Sequence, residues 1–137
     1  MSERKYLPTL AELIDRLSII QLKVIFLPGQ ADAYNAEREL IEHDIDVLLV
    51  DKKLAAKDVR AIMVIMLANS TIWSNESKAR QGGDDQDKLL KFTHSINGLR
   101  SQAKNIIASG ASERIDIKID CFAESLVAEF GAWDIFK

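Results

Sequence analysis

With 137 residues, 47% of them apolar and 28% charged, the chain has the composition of one globular domain spanning 1–137. A chain of that length buries roughly two-thirds of its unfolded surface. The formal net charge of −3 and the lack of an evident basic face argue against non-specific nucleic-acid binding, which needs cations on phosphates. A single cysteine, Cys121, excludes an intrachain disulfide and suits a reducing cytoplasm. The most apolar windows, 19–27 and 61–68, fall far short of the ~20 residues of a membrane span. The opening Met-Ser-Glu-Arg-Lys-Tyr leads into a run containing Glu12, Asp15 and Arg16, not the uncharged core of a signal peptide. A soluble, cytoplasmic protein is expected.

The first helix is signalled by Thr9 with Glu12 three residues on, a capping box, and is bracketed by Pro8 and Pro28. Leu10, Leu13, Ile14 and Leu17 form an amphipathic stripe, but over 19–27 apolar residues surround the helix and only Gln21 and Lys23 interrupt them. A helix apolar on all sides is buried on all sides and requires neighbours on more than one face. Pro28-Gly29-Gln30 is a helix-to-helix turn. A second helix then runs over about 32–50, its stripe formed by Tyr34, Ile41, Ile45 and Leu48 and widened by Leu40 and Val47. Asn35, Arg38, Glu42 and Asp46 make an adjacent polar stripe.

A third helix is expected from near Asp58 to about Gln81. Its first half, 61–68, is apolar on every side and therefore central; its second half turns polar, with Asn69, Trp73, Glu76 and Arg80 on one face. Gly82-Gly83 ends it, and the acids Asp84, Asp85 and Asp87 open the fourth helix. There Leu89, Phe92, Ile96, Leu99, Ala103 and Ile106 alternate steps of three and four, the seam of a helical bundle. Beyond Gly110, residues 115–119 alternate apolar and polar as a short extended segment, and a C-terminal helix fits from Asp120 with Phe122, Leu126, Phe130 and Trp133 inward. The fold expected is an all-α, four-helix bundle with this additional helix.

Polar residues interrupt these apolar helices in a pattern that merits a chemical reading. Asp15 and Lys23 lie two turns apart on the most buried helix, where a charge needs a partner. Asn35 and Arg38 share the Asn-x-x-Arg spacing of Asn97 and Arg100, which puts an amide and a guanidinium on one helix face. Glu76 and Arg80 end the third helix, and Lys104 continues the fourth. Converging at one end of the bundle, these side chains would form a network able to take a small anion. The competing reading is a set of solvated faces with local ion pairs.

Other chemistries find less support. Glu39-x-x-Glu42 with Asp46 is half of the carboxylate set with which helical pyrophosphohydrolases hold magnesium; the second helical pair is missing. His43 and His94 lack metal-ligand spacing, Cys121 has no base beside it, and no glycine-rich phosphate loop is present. No metal site and no cofactor are expected, and Trp73 and Trp133 read as packing anchors.

Four stretches carry a resemblance: Glu12-Leu-Ile-Asp-Arg-Leu-Ser-Ile; Asn35-x-x-Arg38 with Leu40-Ile-Glu-His-Asp-Ile-Asp46; Trp73-x-x-Glu76-x-x-x-Arg80; and Asn97-x-x-Arg100-x-x-x-Lys104. Together they resemble a group of bacterial and phage helical-bundle proteins, whose bacterial members are often encoded among glycan-synthesis genes and to which no activity is assigned. The resemblance reaches to about residue 120; it implies a helical bundle with a polar cluster and names no reaction. The functional expectation is a non-catalytic binding or adaptor protein, phage-derived or cellular, that holds a protein partner or small anionic ligand. The alternative is a small hydrolase or transferase acting on a phosphorylated or nucleotide-sugar substrate. A homodimer or higher oligomer is also expected, because one small bundle cannot cover so many apolar faces, with 115–119 and 133–136 as contributors.

Overall fold

The computed structural model describes residues 6–80 and 86–114. Within them the chain forms α1 (Leu10–Phe26), a 3-10 turn at Pro28–Gln30, α2 (Ala31–Leu49), α3 (Ala56–Arg80) and α4 (Gln86–Gly110), with no strand. The all-α fold follows the sequence expectation. The extended segment at 115–119, the C-terminal helix from 120, Cys121 and Trp133 lie outside the described residues.

The start of α1 is fixed twice. The capping box forms as its sequence specifies: Thr9 Oγ1 accepts from the Glu12 amide at 3.2 Å, and Glu12 Oε2 accepts from the Thr9 amide at 3.1 Å. The Leu10 amide then donates to both carboxylate oxygens of Glu113, at 3.0 and 2.9 Å, which places an anion at the positive end of the helix. Lys52 Nζ, 3.2 Å from the same carboxylate, neutralises it. Arg114 adds an ion pair to Glu12 at 3.2 Å, a hydrogen bond to the Leu7 carbonyl and a stack on the Tyr6 ring at 3.8 Å. Chain entering α1 and chain leaving α4 are therefore tied together at one end of the molecule.

α3 and α4 form an antiparallel hairpin, since Gly110 at the end of α4 lies against Asp58 in the first turn of α3. Asp58 Oδ2 accepts from the Ala55 amide at 2.9 Å and so caps α3 from inside its first turn. A Cβ at position 110 would meet Asp58 Oδ1 at 2.9 Å, so the close approach there suits glycine. Ala61, Ala68 and Ala103, all 2% exposed or less, let the two helices pack closely.

α1 lies in the groove of this hairpin through Leu10, Ala11 and Ile14, which join Ala61, Val64, Ile65, Ala103, Ile107 and Ala108 in the main core. Farther along the hairpin, Ala68, Ile72, Ile96 and Leu99 form a second core made by α3 and α4 alone, with Phe92 against it. On its other side α1 presents Leu13, Leu17, Ile20 and Val24 to Tyr34, Ile41 and Ile45 of α2. The two-sided burial of α1 read from its composition is thus real. The backbone of α2, however, packs only on α1 and the 3-10 turn, not on α3 or α4. The arrangement is a three-helix core with a fourth helix on its flank.

Two expectations need correction. All-round apolarity in 61–68 predicted all-round burial, yet Met63 and Leu67 are 66% and 54% exposed. With α2 on the far side of α1, no described helix covers the outer side of α3. Similarly, Ile25 and Phe26 emerge from the bundle at the end of α1 and are largely exposed, although Phe26 stacks on Trp73 with ring centroids 5.9 Å apart.

This division of burial predicts an asymmetric response to truncation. Ile65→Ala removes a fully buried side chain where three helices meet and should cost about 2–5 kcal/mol, whereas Gln102→Ala, on the exposed side of α4, should stay within about 0.5 kcal/mol. Urea unfolding followed by circular dichroism measures both.

Candidate functional site

The candidate site begins with a break in the stripe that α1 turns toward the hairpin. After Leu10, Ala11 and Ile14 the next inward positions are Asp15 and Ser18, and only then does Leu22 resume the apolar run. Opposite them α3 supplies Asn69, one turn past Ile65 and 4% exposed. α4 supplies Arg100 and Lys104, beside the buried Leu99 and Ala103. A polar belt therefore crosses the three-helix contact just where the main core ends.

Asn69 is the hub. Its Nδ2 donates to Asp15 Oδ1 at 2.8 Å and to Ser18 Oγ at 2.5 Å, while its Oδ1 accepts from Arg100 Nη1 at 2.8 Å. Ser18 Oγ in turn donates to the Asp15 backbone carbonyl at 2.7 Å. The chemistry of the neighbours fixes the orientation of the amide: a carboxylate only accepts and a guanidinium only donates, so a flipped Asn69 would oppose both. Direct charge contacts are looser. Arg100 Nε lies 4.0 Å and Lys104 Nζ 3.8 Å from the Asp15 carboxylate. With Asp15 14% exposed and the cations 26% and 19% exposed, water screens these pairs only in part. Two cations face one carboxylate, so the belt carries an excess positive charge.

Three of the residues predicted from sequence thus meet: Asp15, Arg100 and Lys104. Asn97 lies half-buried one turn before Arg100 on the same stripe of α4. The others do not join them. Arg38 is satisfied inside α2, with Nε donating to Asn35 Oδ1 at 3.1 Å and Nη1 to both Glu42 oxygens at 2.9 Å. Asn35 and Arg38 sit on α2, whose backbone makes no close approach to α4, so a pairing of their face with that of Asn97 and Arg100 is absent. Lys23 sits over the Tyr34 ring at 5.5 Å and braces α1 against α2. Glu76 and Arg80 are exposed near the end of α3. The sequence reading missed Ser18, and it placed Asn69 on a polar face without giving it the central role. An amide following an uninterrupted apolar run was the available signal.

Asn75, 7% exposed, has no described hydrogen-bond partner for its Nδ2. On the outer side of α3, Val59, Met63 and Leu67 recur every fourth residue and are 42%, 66% and 54% exposed, so an apolar stripe faces away from the core. Glu39, Glu42 and Asp46 are exposed on α2, and among the described residues no group of His, Cys, Asp and Glu side chains is placed to hold a metal ion. No described helix is long and apolar enough to cross a membrane. No known protein family, curated protein or solved structure matches the chain.

The polar belt makes a specific prediction about Asn69. Asn69→Asp sets a second carboxylate against Asp15 and should destabilise the fold by about 1–3 kcal/mol. Adding Asp15→Asn exchanges the two groups, leaves one carboxylate beside Arg100 and should recover most of that loss. Denaturant midpoints of the two single variants and the exchanged pair decide it; an exchange no better than Asn69→Asp alone would contradict the assigned orientation.

Proposed function

We propose that this chain is a non-catalytic helical binding protein that engages a protein partner through the apolar outer side of α3. The observation that carries this reading is the exposed stripe of Val59, Met63 and Leu67. Burying such side chains yields roughly 25 cal/mol per Å² of apolar surface, so a contiguous exposed stripe of them favours contact with a partner. The arrangement of the polar groups also favours binding over catalysis. Asp15, the acid nearest a cationic cluster, is already engaged by Asn69, Arg100 and Lys104, and Glu42 is engaged by Arg38. The nearby Ser18 hydroxyl is likewise engaged, accepting from Asn69 and donating to the Asp15 backbone carbonyl.

A small anionic ligand is a second reading, supported by the surplus cation of the Asp15–Arg100–Lys104 group. It would be held at the margin of the belt by Lys104 and the guanidinium edge not occupied by Asn69. The hydrolase or transferase alternative draws on the same cations and would need a nucleophile or metal that no described group supplies.

The partner-binding reading is tested by a photo-crosslinking residue placed at Met63 and, as a control, at the exposed Gln102 of α4, in the cells that make the protein. A discrete protein adduct from position 63 and none from position 102 is expected. No adduct from 63, or the same adducts from both, would contradict it.

A further inference from the structure

α2 and α3 have complementary unpartnered sides. α2 buries one stripe on α1, yet on another side it exposes Leu40 and Val47, 71% and 58% exposed, between acidic neighbours such as Glu37 and Asp44. Across its length α2 carries Asp32, Glu37, Glu39, Glu42, Asp44 and Asp46 against the single cation Arg38. The first turns of α3 and the chain before them have the opposite character. Lys53, Lys57 and Arg60 are exposed there, beside the stripe of Val59, Met63 and Leu67. The spacings also match: at 1.5 Å per residue, Leu40 and Val47 are about 10.5 Å apart along the axis, and Val59 and Leu67 about 12 Å. Within one chain the backbones of α2 and α3 make no close approach, and although Ile45, Leu48 and Leu49 reach the main core, Leu40 and Val47 stay exposed.

We infer that the partner on this face is a second copy of the chain, in an isologous dimer where α2 of each protomer packs antiparallel on the outer side of α3 of the other. This inference rests on the reading of that side of α3 as a binding surface and names its occupant. Two-fold symmetry lets an acidic stripe and a basic stripe on the same molecule satisfy each other twice. Antiparallel packing sets Leu40 near Leu67 of the copy and Val47 near Val59, with the acids of α2 over Lys57 and Arg60. It also gives α2 the second helical neighbour that it lacks in the single chain. The interface so placed differs from that expected from sequence, which put 115–119 and 133–136 at the contact.

The test uses the full chain. Sedimentation velocity from about 1 to 100 μM should show a dimer; Leu40→Asp and Met63→Asp, both at exposed positions, should each give a monomer with an unchanged helical spectrum. Arg60→Glu should weaken association about tenfold, and Asp44→Lys in the same chain should restore it. A zero-length carbodiimide crosslink between an acid of α2 and Lys57, recovered between isotopically light and heavy copies in a mixed sample, provides a readout independent of substitution. Three results would overturn the inference: a monomer throughout, with residues 115–137 or another protein on the face; a dimer indifferent to Leu40→Asp and Met63→Asp; or crosslinks only within one chain. An adduct of position 63 with a different protein, beside a monomer in sedimentation, would sink the dimer and leave the binding reading standing.

Discussion

The Asp15 carboxylate is held where α1 crosses α3 and α4, and its satisfaction sets the conditions for the rest of the structure. A charge removed from water on three sides must be repaid by donors of fixed position. Here they come from both helices of the hairpin, the Asn69 amide of α3 and the cations of α4, while Ser18 of α1 accepts a second hydrogen bond from the same amide. The belt thereby registers the helices against one another along their axes, which apolar packing alone does poorly. Sliding α1 by one turn would bring Asp15 against Ile65 or Ile72 and strip the Asn69 Nδ2 of both its acceptors. The Glu113 carboxylate on the Leu10 amide does the same at the end of the molecule, where it links the start of α1 to the exit of α4. Between these two polar fixtures lies the main apolar core.

α1 has neighbours on two sides and α2 on one, and this difference explains where burial succeeds and fails. α1 can be apolar around most of its circumference because the hairpin and α2 lie on opposite flanks. α3 has a similar composition in its first half but no helix on its outer side, so the same sequence property gives a buried face and an exposed one. The exposed face is the natural place for an interaction, and the polar belt, engaged by its own acid, is first a structural device. Its surplus cation gives the belt a net positive charge.

Local features were legible in the sequence to within a residue or two: the Thr9–Glu12 box, the proline-flanked first helix, the turn at Pro28–Gln30 and the helical seam of α4. These depend on contacts within a few residues, which spacing encodes directly. The seam was slightly displaced at its end, with Ile107 buried where Ile106 was expected. Relations between helices were less legible. Asn35 and Asn97 have the same spacing to an arginine, yet Arg38 is satisfied by Glu42 one turn on, while Arg100 reaches across to Asn69. Periodicity identifies a polar stripe but not the helix that faces it. Glu113 caps a helix that begins about a hundred residues earlier, a contact no local pattern could announce. All-round apolarity likewise says that a helix can be covered on every side, not that it is.

The central claim is that α1 belongs to the α3–α4 hairpin energetically and that α2 is attached through it. Native-state hydrogen exchange at low protein concentration tests this most directly. Amides of α1 from Leu13 to Leu22 should exchange with the same opening free energy and denaturant dependence as those around Ile65 and Leu99, the least exposed part of the core. α2 should open earlier and separately. If α1 instead loses protection together with α2 while the hairpin stays closed, the polar belt does not bind α1 to its neighbours and the account fails.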